Sequence, residues 1–336
     1  MTLNSNSIVE SLALPETPAT DNPLLKRFIN LPVASLLTFE GSDAALPSAE
    51  EQERHRIYAG ALSALVVHYW NGNKNGRGGT YPLNSPVDTP SAKHLSGDYL
   101  GHNIAGLAVD RLGHIIDFDF NHNKLFNSSA EHAEARLVRR VFSLAQIADT
   151  WGLSAEAPLT PATDYTTLSD VTVYTSLESC AQCSGVMALG RVKAVVYLQT
   201  DPGTYLIGRI LRNLTDQQLR APLPIPASLV SFGQFEQLDA AYRTFFNRSP
   251  NEPFHIDPAG KKDQTQSITS FLCTDAARTI FASASQDFTA LGSTRPLTAP
   301  LYRPGPAALS NIDVLDEARQ FLRYATDVAR RGTPHH

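Results

Sequence analysis

"VTVYTSLESCAQCSGVMALGRVKAVVYLQT", residues 171–200, decides the fold. Val171 to Leu177 is rich in β-branched residues and reads as a strand. "CAQCSGVMALGR", 180–191, reads as a helix. "VKAVVYLQT", 192–200, has the nearly continuous apolar character of a strand covered on both faces. A strand–helix–strand unit this short sets its two strands parallel and adjacent. The chain is therefore α/β.

Upstream, "NIAGLAV" (103–109), "DRLG" (110–113) and "HIIDFDF" (114–120) read as strand, turn and strand, an antiparallel hairpin. Hairpin and parallel unit together predict a mixed sheet. Between them a helix is expected from about Ser129 to Trp151, with Gly152 placed to end it. An earlier helix starts at Ser48, whose spacing to Glu51 is that of a capping box, and runs to about Trp70. Residues 71–100, full of Asn, Gly, Ser and Pro, form a long loop. Residues 1–46 read as an N-terminal extension, 47–215 as the core, and 216–336 as a mainly helical C-terminal extension. In the last of these, "FEQLDAAYRTFFNR" reads as helical. "NIDVLDEARQFLRYATDVARRG" is an amphipathic helix with Ile312, Leu315, Leu322, Ala325 and Val328 on one stripe.

The chain has 336 residues, 42% of them hydrophobic, and a net charge of −5. That balance argues against broad nucleic-acid binding through a basic surface. No apolar run is long enough to span a bilayer, and no secretory leader pattern is seen. Three cysteines make no disulfide framework, so a reduced, cytoplasmic setting is expected.

Cys180 and Cys183 are three apart at a helix start, so their sulfurs share a face. His132 lies at the start of another helix, in "SSAEHAEARLVRR" (128–140). One His and two Cys make three ligands of the kind zinc prefers, and leave a fourth position for water. Zinc lowers the pKa of that water. Glu134, two residues from His132, is then expected to shuttle its proton as general base and acid, and not to bind the metal. A structural site would need a fourth ligand, for which His122 is the nearest candidate. A thioredoxin-like redox pair would leave His132 and Glu134 idle.

"HAE" followed by "LESCAQC" resembles the H-x-E…P-C-x-x-C signature of the cytidine deaminase-like superfamily. The "LE" before the cysteines and the sequel "CSGVMALGRVKAVVYLQTDP" resemble the branch of tRNA adenosine deaminases and guanine deaminases. The resemblance covers under half of the chain. It implies a three-layer α/β/α core with a mixed five-stranded sheet, one zinc ion per chain, and a dimer. It also implies that Asn121, at the end of the second hairpin strand, binds the base, with backbone groups near Ala133 and Ser179 orienting the ring. Ser179 stands where the family has proline, and keeps the carbonyl that faces the substrate amine.

The expected function is hydrolytic removal of an exocyclic amine, as ammonia, from a nucleobase, nucleoside or related heterocycle, with purine favoured by the resemblance. The alternatives are an adenosine or cytidine deaminase that edits tRNA, other RNA or single-stranded DNA, and a catalytically silent binding module. Lys74, Arg77 and Tyr81 read as loop residues. His55, His68, His94, His102 and His114 read as surface or satisfied core histidines, and Cys273 as a buried thiol. Arg136, Arg139 and Arg140 read as a helix face before a nucleic-acid patch.

Overall fold

The computed structural model describes residues 47–70, 101–151, 167–215, 221–247, 255–256, 259–263 and 266–328. The expectations for residues 1–46 and 71–100, with Lys74, Arg77, Tyr81 and His94, lie outside them. So do those for Gly152 and the side chain of Val328.

Helix α1 spans Ala49–His68, and both arms of the Ser48–Glu51 capping box are formed. Strands β1 (Ala105–Val109) and β2 (Ile115–Phe120) pair antiparallel, with a bulge after Ala108. Asp110 Oδ1 accepts from the amides of Leu112, Gly113 and His114 and so fixes the turn between them. Helix α2 is Ala133–Trp151, followed by β3 (Thr172–Thr175), α3 (Ala181–Leu189) and β4 (Ala194–Tyr197). Helix α4 (Ile207–Leu214) leads to β5 (Leu223–Pro226). The five strands form one mixed sheet in the order β2-β1-β3-β4-β5, with β3, β4 and β5 parallel.

Side chains alternate across this sheet, as the two-residue period of a strand requires. Leu107, Tyr174 and Val196 enter the core that holds Leu62 and Leu65 of α1. Ala108, Val173 and Val195 enter the core that holds Leu137 and Val141 of α2 and Met187 of α3. Each of the Leu, Val and Met side chains among them contributes roughly 1.5–3 kcal/mol on burial. Helices thus cover both faces of the sheet.

The fifth strand, "LPIP", lies beyond residue 215, inside the segment read above as an extension. Its two prolines hid it, because proline cannot donate to a ladder. The end of the sheet is where proline is tolerated, and β5 is an end strand.

Helices α5 (Gln234–Phe246), α6 (Ile268–Phe271), α7 (Asp275–Ala290) and α8 (Asn311–Val328) follow. α7 and α8 both pack on α1. At Gly60 of α1 a Cβ would lie 2.7 Å from Phe288 Cβ, so the approach of α7 requires glycine there. The buried stripe of α8 is Val314, Leu315, Ala318, Phe321 and Ala325, and Ile312 lies off it, partly exposed. Two buried charges of α1 fasten the C-terminal chain. Glu53 accepts from Thr298 N, Thr298 Oγ1 and Ala299 N at 2.7–2.9 Å. Arg54 donates to the carbonyls of Leu309 and Leu112.

Candidate metal centre

Two helix starts meet beside the sheet. α2 begins at Ala133, later than Ser129, because Ser128 and Ser129 belong to a turn in which Ser128 Oγ accepts from Ala130 N. His132 is therefore the residue just before the helix, and its carbonyl accepts from Arg136 N. Cys180 holds the same position at α3, with Cys183 one turn on. His132 Nδ1 lies 3.3 Å from Cys180 Sγ and 3.5 Å from Cys183 Sγ. One donor atom from each of the three residues falls within 4.8 Å of the others. Among the described residues no fourth donor joins them: His122 sits apart, its Nδ1 3.7 Å from Asp119.

The group is poised for a cation. Hydrogen bonding from the Cys183 thiol, then from His132, pulls the Cys180 thiol down to about 4. Cys183, which gives that hydrogen bond and is more deeply buried, is pushed far up. His132 is raised by its hydrogen bond to Cys180. One proton shared between two sulfurs is what a metal displaces, since the ligands must be deprotonated. A soft, nitrogen-and-sulfur donor set of three fits zinc with one position open. Iodoacetamide at about pH 6 is expected to modify Cys180 first in metal-free protein, where it is already thiolate and partly exposed. Cys183 and Cys273 are buried and should be protected. Peptide mass mapping reads this directly, and equal labelling of Cys183 would contradict it.

Glu134, in the first turn of α2, is 4% exposed. Burial pushes its carboxyl up. Thr175 Oγ1, at the end of β3, lies 2.9 Å from Glu134 Oε1, and Ser179 Oγ lies 3.4 Å from it. The Cys183 thiol also reaches the carboxyl, which ties Glu134 to the cysteine pair. Ala133 is fully buried. As the first residue of α2 it has an amide with no partner one turn back in the helix. The Ser179 carbonyl accepts from Ser184 Oγ at 3.3 Å.

Asn121, 1% exposed, directly follows β2. Its Oδ1 accepts from the amides of His102 and Asn123, and Gly101 lies so close that a Cβ there would collide with it. The Nδ2 of Asn121 has no acceptor among the described residues.

Three supports escaped the sequence reading. Thr175 holds Glu134. Glu178, just before Ser179, accepts from the amides of Asp201 and Leu206 and so holds the loop after β4. Asp239 of α5 takes the amide and hydroxyl of Thr200 in the same loop. Three other described histidines have partners: His55 bonds Tyr174 Oη at 2.7 Å, His114 pairs with Glu317, and His102 meets Asn123. Arg136, Arg139 and Arg140 all pair with carboxylates, namely Asp117, Asp119 and Glu131.

No protein-family model matches the chain, and no curated protein matches it. Solved structures do. One comes from work on A-to-I editing by tRNA A34 deaminases at the wobble position. It is 19% identical over 37% of this chain and 82% of its own, with a TM-score of 0.27. A guanine deaminase from Nitrosomonas europaea is 17% identical over 39% and 71%, with a TM-score of 0.28. A guanine deaminase from Bacillus subtilis is 21% identical over 45% and 85%, with a TM-score of 0.24. At these TM-scores nothing about activity passes from them to this chain. Among the described residues no helix is long and apolar enough to cross a membrane.

Proposed function

We propose that the chain is a zinc-dependent hydrolytic deaminase that releases ammonia from an amine-bearing purine base, nucleoside or related heterocycle. The observation that carries this reading is Glu134, buried against the cluster of His132, Cys180 and Cys183. Those three residues would hold the ion. Zinc bound there supplies a water acidic enough to serve as nucleophile near neutral pH.

The chain's own groups do the rest. Thr175 and Ser179 both meet Oε1 of Glu134 and hold the carboxyl that takes and gives the proton. Glu134 takes a proton from the attacking water and gives it to the departing amine. A carbon–oxygen bond forms, a carbon–nitrogen bond breaks, and one water is consumed for each ammonia released. The lone Nδ2 donor of Asn121 and the backbone at Ala133 and Ser179 orient the ring. Purine is favoured by the resemblance of "LESCAQC" noted above.

A small substrate is favoured over a strand of RNA or single-stranded DNA because the arginines of α2 are engaged by carboxylates. A homodimer and a reducing, cytoplasmic setting, in which Cys180 and Cys183 stay unoxidised, complete the reading.

The test is ammonia release, with mass spectrometry of the products, over free bases, nucleosides, nucleotides, unmodified tRNA and single-stranded DNA. Turnover of a free purine or its nucleoside is expected. Turnover on a polynucleotide alone would replace this reading with an editing enzyme. Zinc-loaded protein that turns over none of them would make it a silent binding module.

A further inference from the structure

We propose that a cavity of about 280 Å³ between α1, α5 and α7 is a second binding site, for the phosphate group of a small phosphorylated molecule. It shares no lining residue with the metal centre.

Two arginines from separate elements face it: Arg56 of α1, and Arg295, just past α7. Arg56 is unusual. Its Nε is buried and has no hydrogen-bond partner. Its Nη2 lies 3.3 Å from Glu53 Oε1, but that oxygen already takes both the amide and the hydroxyl of Thr298. Burial, and then the nearby Arg295, act against the charge on Arg56. Two like charges brought to one cavity, with a buried donor left over, are relieved by an anion that both can hold.

One lining carboxylate opposes them. Asp287 accepts from Gln234 Nε2 at 2.7 Å through Oδ2, while its Oδ1 stands 3.7 Å from Arg295 Nη1. Two cationic residues face the cavity against one anionic residue, and Glu53, outside the lining, offsets part of the charge on Arg56. α5 also starts at the cavity wall, and its N-cap, Gly233, offers no side-chain cap, so the positive end of that thirteen-residue helix adds to the field. Phosphate suits this set better than carboxylate, because its additional oxygens can meet two guanidinium groups and helix amides together. The volume accepts a phosphate with a short organic group and falls below the range of drug-sized sites.

Calorimetric titration of the zinc-loaded protein, freed of excess zinc, tests this with inorganic phosphate, glycerol 3-phosphate and acetate. Both phosphate compounds are expected to bind and to raise the Tm, and acetate to bind more weakly or not at all. Arg295→Gln, half exposed and outside the helices, should fold normally and lose about tenfold or more in phosphate affinity. Arg56→Gln, checked for folding by circular dichroism, should lose at least as much. Absence of phosphate binding in the millimolar range would overturn the proposal. So would wild-type affinity in both variants, or a preference for acetate.

Discussion

Glu134→Gln is expected to lose about 10²–10⁴-fold in turnover, to keep one zinc per chain, and to become more stable when metal-free. All three follow from the place of one side chain. Glutamine keeps the shape of Glu134 and an oxygen for Thr175 and Ser179, so the contacts at 2.9 and 3.4 Å survive. It cannot accept and return a proton, so the step between water and leaving amine loses its carrier. The metal is untouched because Glu134 is outside the group of three donors.

The stability change has a definite sign. Burial raises the folded pKa of Glu134 above its ordinary 4.5, so the native state favours the protonated form. The stabilisation this gives is fully present below about that value and is lost as pH rises through the folded pKa. At neutral pH a buried carboxylate is therefore a cost, and a neutral amide removes it. Zinc analysis, turnover and thermal unfolding of one variant check the three outcomes. Activity within a few-fold of wild type would remove Glu134 from the proton path. An unchanged or lower Tm at neutral pH would show that the carboxylate is not penalised where it sits.

The parts legible in the sequence were those where local pattern and final contact coincide. The apolar run of "VKAVVYLQT" gives a strand covered on both faces, as such a run predicts, and "HIIDFDF" gives one whose Phe118 enters the core as its period predicts, although Asp117 and Asp119 are buried too, against arginines of α2. His132, Cys180 and Cys183 could be paired across 48 and 51 residues because two helix starts at one edge of a sheet leave few other places for them. What escaped depended on tertiary context. β5 breaks strand propensity with two prolines and exists because an end strand can hold them. Ile312 fitted the helical stripe of α8 but lies outside it, since the face that meets α1 is set by Val314 and Ala318. Thr175 and Glu178 carry no motif of their own, and their roles rest on what lies opposite: a carboxyl for one, two loop amides for the other. A sequence shows which groups have chemistry to offer. It shows less well which groups hold them still.

Cys180→Ala should remove both zinc and turnover, where Glu134→Gln removes turnover alone. With three protein donors, losing one leaves His132 and Cys183, and a fall in zinc affinity on the order of a thousandfold is expected, since ligand bonds supply most of the binding free energy. The choice of Cys180 over Cys183 matters. Cys180 is partly exposed and precedes α3, so alanine there costs little packing. Cys183 is fully buried, and its replacement would mix a metal effect with a folding effect. Cys273→Ala is the matched control. That thiol is also buried, donates to the Thr269 carbonyl, and lies outside the donor group. The expected zinc contents are one per chain in wild type and Cys273→Ala, and near zero in Cys180→Ala after dialysis against a mild chelator. Retained zinc in Cys180→Ala would mean that the metal uses other donors. Retained zinc with lost turnover would make Cys180 part of the reaction and not part of the holder. Loss of both, beside loss of turnover alone in Glu134→Gln, would separate the group that holds the ion from the group that moves the proton.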